Sequence, residues 1–280
     1  MMNPMSSTTT TEVVLEAPVV LEVKPRKRYW SWLTKTILPI LILIGWTALA
    51  KSSLVPALTL PSPWGTVLEL KSMWGNQHLA SNLAVSLTRA VTGLLFGAAF
   101  GFVIGLFSGL TRIGEELFDA TLQALRAIPF IALIPLFILW FGIGETPKIL
   151  VVALASYFPM YINTANGVRN VDRKVVEAAK TFGVQRLALL RRVILPLALP
   201  QILTGLSLSM VVSILALVAG ETISSQNGIG YLLLNSQSFQ RNYEVFACVV
   251  IYAIMGLGAA AIVKLLERVC LKWREGVAVR

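Results

Sequence analysis

Chemistry on a substrate requires a nucleophile, a base or a set of metal ligands held within reach of one another. The 280 residues contain one histidine, His78, and two cysteines, Cys248 and Cys270. One imidazole builds neither a proton relay nor a histidine metal site. Cysteines this far apart do not read as a CxxC pair. His78 is expected in an exposed loop, and both thiols as unpaired packing or surface groups. The residues that do suggest a task are charges in or beside apolar runs, Arg89, Arg126 and Glu221. Charges are costly in hydrocarbon and are functional candidates by default. Arg89 at an outer helix end and Arg126 at an inner one can each attract an anion or snorkel to the interface, and snorkelling is the favoured reading. Glu221 would repel an anion, which leaves gate pairing, docking of an external protein, or a solvated helix end. Asn227 follows in an outer turn with Gly228 and Gly230, which ordinary turn chemistry explains equally well.

Apolar helices must position these residues. The sequence is 56% hydrophobic and 14% charged, with a mean hydropathy of +0.73, whereas a soluble domain carries about a quarter charged residues. The net charge of +10 would suit nucleic acid only if the basic residues shared a water-exposed face, but here they punctuate apolar runs. Membrane lipid is expected as a partner, and nucleic acid is not. A helix needs about 20 apolar residues to cross the hydrocarbon core. Six segments qualify, about 32–50, 90–110, 122–141, 149–164, 195–220 and 245–263. The fold class is therefore all-α, a polytopic helical membrane protein. Pro129 and Pro135 predict a kink in the third span, and Pro159 lies inside the fourth.

Residues 1–28 read as a disordered cytoplasmic leader with a basic end, 29–270 as the membrane domain and 271–280 as a cytoplasmic tail. The basic run followed by Ile37 to Ala50 imitates a cleavable signal, but the polar segment before it exceeds an ordinary n-region, so an uncleaved span is expected. Eighteen of the 24 Lys and Arg residues fall on the side of the N-terminus. The other side takes four, Lys51, Lys71, Lys148 and Arg241, so both termini are expected in the cytoplasm. Outside, Pro61 and Pro63 enclose a rigid turn, after which Trp64, Val67, Leu68 and Trp74 would line one side of a short interfacial helix.

Two stretches suggest mechanism. Gly93, Gly97, Gly101, Gly105 and Gly109 recur at every fourth position of the second span, a spacing that lets helix backbones approach closely. At about 100° per residue the stripe drifts by about 40° per step, so it can meet more than one neighbour. The longest inner loop, about 167–192, holds Glu177-Ala178-Ala179-Lys180 and Gly183. Asp172 suits an N-terminal cap, Gly183 a left-handed helix stop, and Pro196 the first turn of the next span. Such a helix-turn-helix can dock in a partner's groove, with Ala178 and Ala179 allowing close approach and Glu177 fixing orientation. It can equally rest on anionic headgroups through Arg186, Arg191 and Arg192, and physics alone leaves both readings open. Glu115, Glu116 and Asp119 read as a solvated acidic loop.

Glu177-Ala178-Ala179, three residues, Gly183, nine residues, then Val193-Ile194-Leu195-Pro196 resembles the EAA loop of binding-protein-dependent ATP-binding-cassette permeases, with Val193 where the usual pattern has Ile. Leu125-Arg126-Ala127-Ile128-Pro129, the run from Ile134 to Ile143, Phe158 to Thr164, Glu221-Thr222-Ile223-Ser224 and Gly228 to Leu232 narrow the resemblance to the aliphatic sulfonate branch. Permeases for taurine, nitrate and bicarbonate are its relatives. The resemblance spans roughly 55–275. It implies a type I importer permease in the bacterial inner membrane, working as a homodimer by alternating access. The implied partners are two cytoplasmic ATPase subunits, which would hold ATP and magnesium, and a periplasmic or lipid-anchored substrate-binding protein. It also implies that Glu177, Ala178, Ala179, Lys180 and Gly183 form the coupling helix seated in the ATPase, and the outer turn of Asn227, Gly228 and Gly230 after Glu221 resembles the family's periplasmic gate region. The sequence agrees that the chain is not the ATPase, since it has no GxxxxGK[ST] phosphate loop. No cofactor is expected on this chain.

Two rival classes fare worse. A stand-alone secondary transporter or channel usually carries ion-coupling carboxylates or a polar filter within its spans, and these six segments hold almost none. An intramembrane enzyme needs clustered ligands or nucleophiles that one histidine and two distant cysteines do not supply.

Overall fold

The computed structural model describes residues 28–52, 56, 59–76 and 79–271; the leader up to residue 27, His78 and the tail from residue 272 lie outside the described residues. The chain divides into two compact units, Met1–Gly45 and Trp46–Arg280. Helix α1 (Arg28–Lys51) opens in the first, and its apolar part is Thr36–Lys51. The second unit holds α2 (Pro63–Asn76), α3 (Leu79–Leu110), α4 (Arg112–Arg126), a 3-10 turn Phe130–Leu133, α5 (Ile134–Phe141) and α6 (Glu145–Arg169). It continues with α7 (Arg173–Thr181), α8 (Arg186–Leu189), a π-helical turn Leu190–Ile194, α9 (Leu195–Ser224), α10 (Ile229–Ser238) and α11 (Asn242–Cys270). No strand occurs among the described residues.

Four stretches are long and apolar enough to cross a membrane: Leu79–Leu110, Glu145–Arg169, Leu187–Ile223 and Asn242–Cys270. A fifth forms if Arg112–Arg126 and Phe130–Phe141 are taken as one span, bent by 87°. The kink expected near Pro129 is thus a full break. Pro129 donates no backbone hydrogen bond and disfavours the helical region for the residue before it, and α4 ends on bonds from the Ala127 and Ile128 amides. α3 begins at Leu79 rather than near residue 90, because Ser86 and Arg89 are buried in protein instead of facing lipid. The second half of the inner loop also runs straight into the next span. Pro196 offers no N–H, and the chain widens just before it, with the Leu195 amide bonding back to the Leu190 carbonyl.

The core follows the α3, α6 and α9 contacts. Ala90, Val151, Val152, Ala216 and Leu217 fill the half at the end expected outside (the outer end) with Ile134 of α5, and Ala98, Met160, Val168, Ala198 and Ile202 the half at the end expected inside (the inner end). α2, α10 and α11 build a third cluster around Met73, Ile229, Ala247 and Cys248 at the outer end. On α2, Thr66 and Met73 are buried while Trp64, Val67, Leu68 and Trp74 are exposed together, the side expected to meet the interface. The Trp46 indole donates to the Pro61 carbonyl at 2.9 Å and anchors the turn ahead of α2.

All five stripe glycines make their nearest contacts with one partner, α6. A Cβ at Gly101 would stand 2.5 Å from the Tyr157 carbonyl and one at Gly105 2.6 Å from that of Tyr161, while Gly93 meets Val152, Gly97 Ala153 and Gly109 Val168. A drift of about 40° per step carries a stripe away only from a neighbour that runs parallel to its helix. Rows of residues four apart are inclined to the helix axis, and a helix crossing along such a row keeps contact with every member. Gly101→Ala is expected to lower the melting temperature of the detergent-solubilised protein, at an overpacking cost of about 1–3 kcal/mol. Gly256→Ala, where an added Cβ meets nothing within 4 Å, is the silent control.

Candidate functional site

At the outer end Arg89 does not snorkel. Its side chain is 2% exposed, and all five of its donors are used. Nε and Nη2 grip the Glu145 carboxylate at 2.5 and 2.7 Å, a bidentate pair. Nη1 donates to Glu221 at 2.7 Å and to the Asn227 carbonyl at 2.8 Å, and Nη2 reaches the Asn227 side-chain oxygen at 2.5 Å. Glu221, 1% exposed, is no solvated helix end. It also accepts from the Ser86 hydroxyl at 2.7 Å, the Gly230 amide at 2.9 Å and the Tyr252 hydroxyl at 3.3 Å. Ser86 in turn accepts from the Ile229 amide at 2.9 Å, and Asn82 from the Gly228 amide at 2.7 Å. The first amides of α10 therefore close over the carboxylate, where a helix N-terminus favours negative charge. Lys148 completes the cluster with a 3.1 Å contact to Glu145.

The turn over this cluster has to be glycine. Gly228 has φ +108, and a Cβ there would lie 2.5 Å from Glu221 Oε1 and 2.7 Å from Arg89 Nη1. Turn chemistry alone is therefore an incomplete account of Gly228, since the backbone lies directly on an ion pair.

A second cluster ties the inner ends of α3, α4 and α6. Arg169 holds Asp119 through Nη1 at 2.6 Å and Nη2 at 3.0 Å, and Nη2 also donates to the Ser108 hydroxyl at 2.7 Å. The Ser108 hydroxyl donates to Asp119 at 2.8 Å, and the Tyr161 hydroxyl donates to the same carboxylate oxygen. The acidic segment expected as a loop is thus helix α4, capped by the Thr111 hydroxyl on the Gly114 amide at 3.0 Å. Asp119 is half-buried, whereas Glu116 is exposed.

α7 stands out from the inner end as an exposed helical hairpin. Asp172 caps it by accepting from the Lys174 amide at 2.9 Å. Gly183, at φ +80, closes it with two bonds, its own amide to the Lys180 carbonyl at 2.9 Å and the Val184 amide to the Ala179 carbonyl at 3.0 Å. This double-bonded stop is the Schellman motif. Glu177, Ala178, Lys180 and Gly183 are exposed and Ala179 is half-buried. The carboxylate of Glu177 pairs with no described residue. Beside it Phe182 is 88% exposed, an apolar ring held in the open by the turn. The sequence reading passed over Phe182, although a bulky aromatic just before a glycine stop is the available signal.

Arg126, at the end of α4, is exposed and forms no hydrogen bond or ion pair with a described residue. It lines a cavity of about 430 Å³ with Phe130, Phe158, Pro159, Asn163 and Val212, and a second of about 310 Å³ with Gln123, Asn166 and Arg169. Of the residues singled out from sequence, Arg89, Glu221 and Asn227 meet at one point, Arg126 stands apart from them, and the Glu177 hairpin is a third place.

Residues 97–270 match the family described as "Binding-protein-dependent transport system inner membrane component". SsuC of Bacillus subtilis (strain 168), named as an aliphatic sulfonates transport permease protein, is 40% identical over 252 residues, covering 90% of this chain and 91% of that protein. The protein of the same name in Escherichia coli (strain K12) is 41% identical over 249 residues, covering 89% and 95%. The taurine transport system permease protein TauC of Escherichia coli (strain K12) is 33% identical over 264 residues, covering 90% and 96%. Among solved structures, a chain of an amino acid ABC transporter superposes with a TM-score of 0.57 at 22% identity, over 71% of this chain and 97% of that one. Fold, apolar helices and sequence agree: this chain belongs to the inner membrane components of binding-protein-dependent transport systems.

Proposed function

We propose that the chain is the translocating subunit of an ATP-driven importer for an aliphatic sulfonate. The observation that carries this reading is 40% and 41% identity, over about nine tenths of the chain, to two proteins named for aliphatic sulfonates, against 33% to the one named for taurine. The working unit is a homodimer in the bacterial inner membrane, with both termini cytoplasmic. Two cytoplasmic ATPase subunits bind ATP and magnesium, and an external binding protein delivers the anion.

The α7 hairpin is the coupling element. Glu177, Ala178, Ala179, Lys180 and Gly183 present it to the ATPase, and Phe182 is the apolar anchor of that contact. A stretch of small residues beside an exposed aromatic and a free carboxylate fits a groove better than a headgroup layer, to which Glu177 is repelled. Closure of the ATPases pulls on the hairpin, and the rigid run from α8 through α9 transmits the movement to the membrane. At the outer end the Arg89, Glu221 and Asn227 cluster clamps α3, α6, α9 and α10 so that they move as one body. Rocking of two such bodies then alternates access to the pathway between them.

The cargo is tested on the cognate binding protein by titration with alkanesulfonates, taurine, nitrate and bicarbonate. Alkanesulfonates are expected to bind most tightly. Tight nitrate, bicarbonate or taurine binding with no alkanesulfonate binding contradicts the assignment.

A further inference from the structure

We infer that the cavity at the α4 break is a subsite for an amphiphilic organic anion, in which Arg126 holds the charged head and the wall of Phe158 and Val212 holds the alkyl chain. The inference rests on the importer reading above and adds a place and a contact chemistry to it.

Three observations lead there. The first is the unused capacity of Arg126, which brings five N–H donors and a permanent charge to an exposed position without a described partner. The buried Arg89 and the half-buried Arg169, by contrast, are bound to carboxylates. The second is the company it keeps. Asn163 and Gln201 are linked by a 2.9 Å bond from the Gln201 amide, and Gln123 and Asn166 are exposed near them. A face carrying a guanidinium and several amides does not suit lipid, where each unsatisfied polar group is costly. This face therefore opens to water or to a second copy, which is where a pathway through a homodimer runs. The one carboxylate on the inner cavity wall, Asp119, is neutralised by its bidentate pair with Arg169, so the positive charge of Arg126 acts unopposed.

The third observation is the cavity's two-sided lining. Beyond Arg126 and Asn163, its wall is apolar, with Phe130, Phe158, Leu208 and Val212 among its members. The break at Pro129 makes the room, since a continuous helix would fill it with side chains. A small inorganic anion uses only the polar end. A sulfonate with an alkyl tail uses both, its oxygens accepting from the guanidinium and amides while the chain covers apolar wall that would otherwise face water.

The test uses the full transporter in proteoliposomes with its ATPase and binding protein, and alkanesulfonates of increasing chain length as probes. Arg126→Gln is expected to cut uptake roughly tenfold or more, the loss of a charge-assisted contact. Arg126→Lys recovers part of the uptake. Val212→Ser leaves short sulfonates untouched and slows long ones. Equal uptake by Arg126→Gln and wild type overturns the subsite alone. Wild-type uptake restricted to an inorganic anion overturns both the apolar half of the subsite and the sulfonate assignment.

Discussion

Arg89→Ala is expected to destabilise the solubilised protein by about 3–5 kcal/mol, the range for a buried ion pair that loses one partner. Glu221, 1% exposed, would be left charged among apolar neighbours with only the Ser86 and Tyr252 hydroxyls and the Gly230 amide to stabilise it. The cost does not come from Glu145, whose side chain is 54% exposed and can turn to water. This asymmetry makes a second arm decisive. Arg89→Met with Glu221→Met removes both buried charges, and replacing a buried pair by apolar residues is often neutral. The double variant is therefore expected to melt closer to wild type than either single variant does. Equal losses in all three variants would show that the charges themselves are not what burial penalises.

The hairpin carries the second large effect. Glu177→Ala and Phe182→Ala are each expected to weaken assembly with the ATPase, by about 2 kcal/mol or more for a desolvated charge or an aromatic anchor, on the order of 30-fold in affinity. Copurification of the ATPase with the tagged chain, together with ATP-dependent uptake, measures it. Gly183→Val acts by another route. At φ +80 a β-branched residue is strained, so both closing bonds of the hairpin are lost. The membrane-surface reading makes the opposite prediction for Glu177, because removing an acid next to anionic headgroups strengthens their attraction. Unchanged assembly and uptake in Glu177→Ala and Phe182→Ala would remove α7 from the coupling role.

The local features of this protein were legible in its sequence because their causes are local. Asp172 caps α7 and Gly183 ends it within a dozen residues of chain. Pro129 breaks a helix by its own missing N–H. The glycine stripe announced close packing through spacing alone, although the number of its neighbours depended on a crossing direction that spacing does not encode. The charged clusters were not legible in the same way. Arg89 finds Glu145, Asn227 and Glu221 at sequence separations of 56, 138 and 132. A hydropathy pattern, which scores each charge by its transfer from water, therefore sends Arg89 to the interface. Only when several polar partners converge does burial become cheaper than snorkelling. Asp119 and Arg169, 50 residues apart, were missed for the same reason.

Under the proposed function this chain moves an aliphatic sulfonate inward by means of ATP hydrolysis on partner subunits. The direct measurement is uptake of a radiolabelled alkanesulfonate into proteoliposomes holding the chain with its ATPase, binding protein supplied on the outside and ATP within. Accumulation that requires ATP, the ATPase and the binding protein together is the predicted result. Accumulation driven by an ion gradient with the ATPase left out, or no alkanesulfonate uptake by the complete assembly, would contradict it.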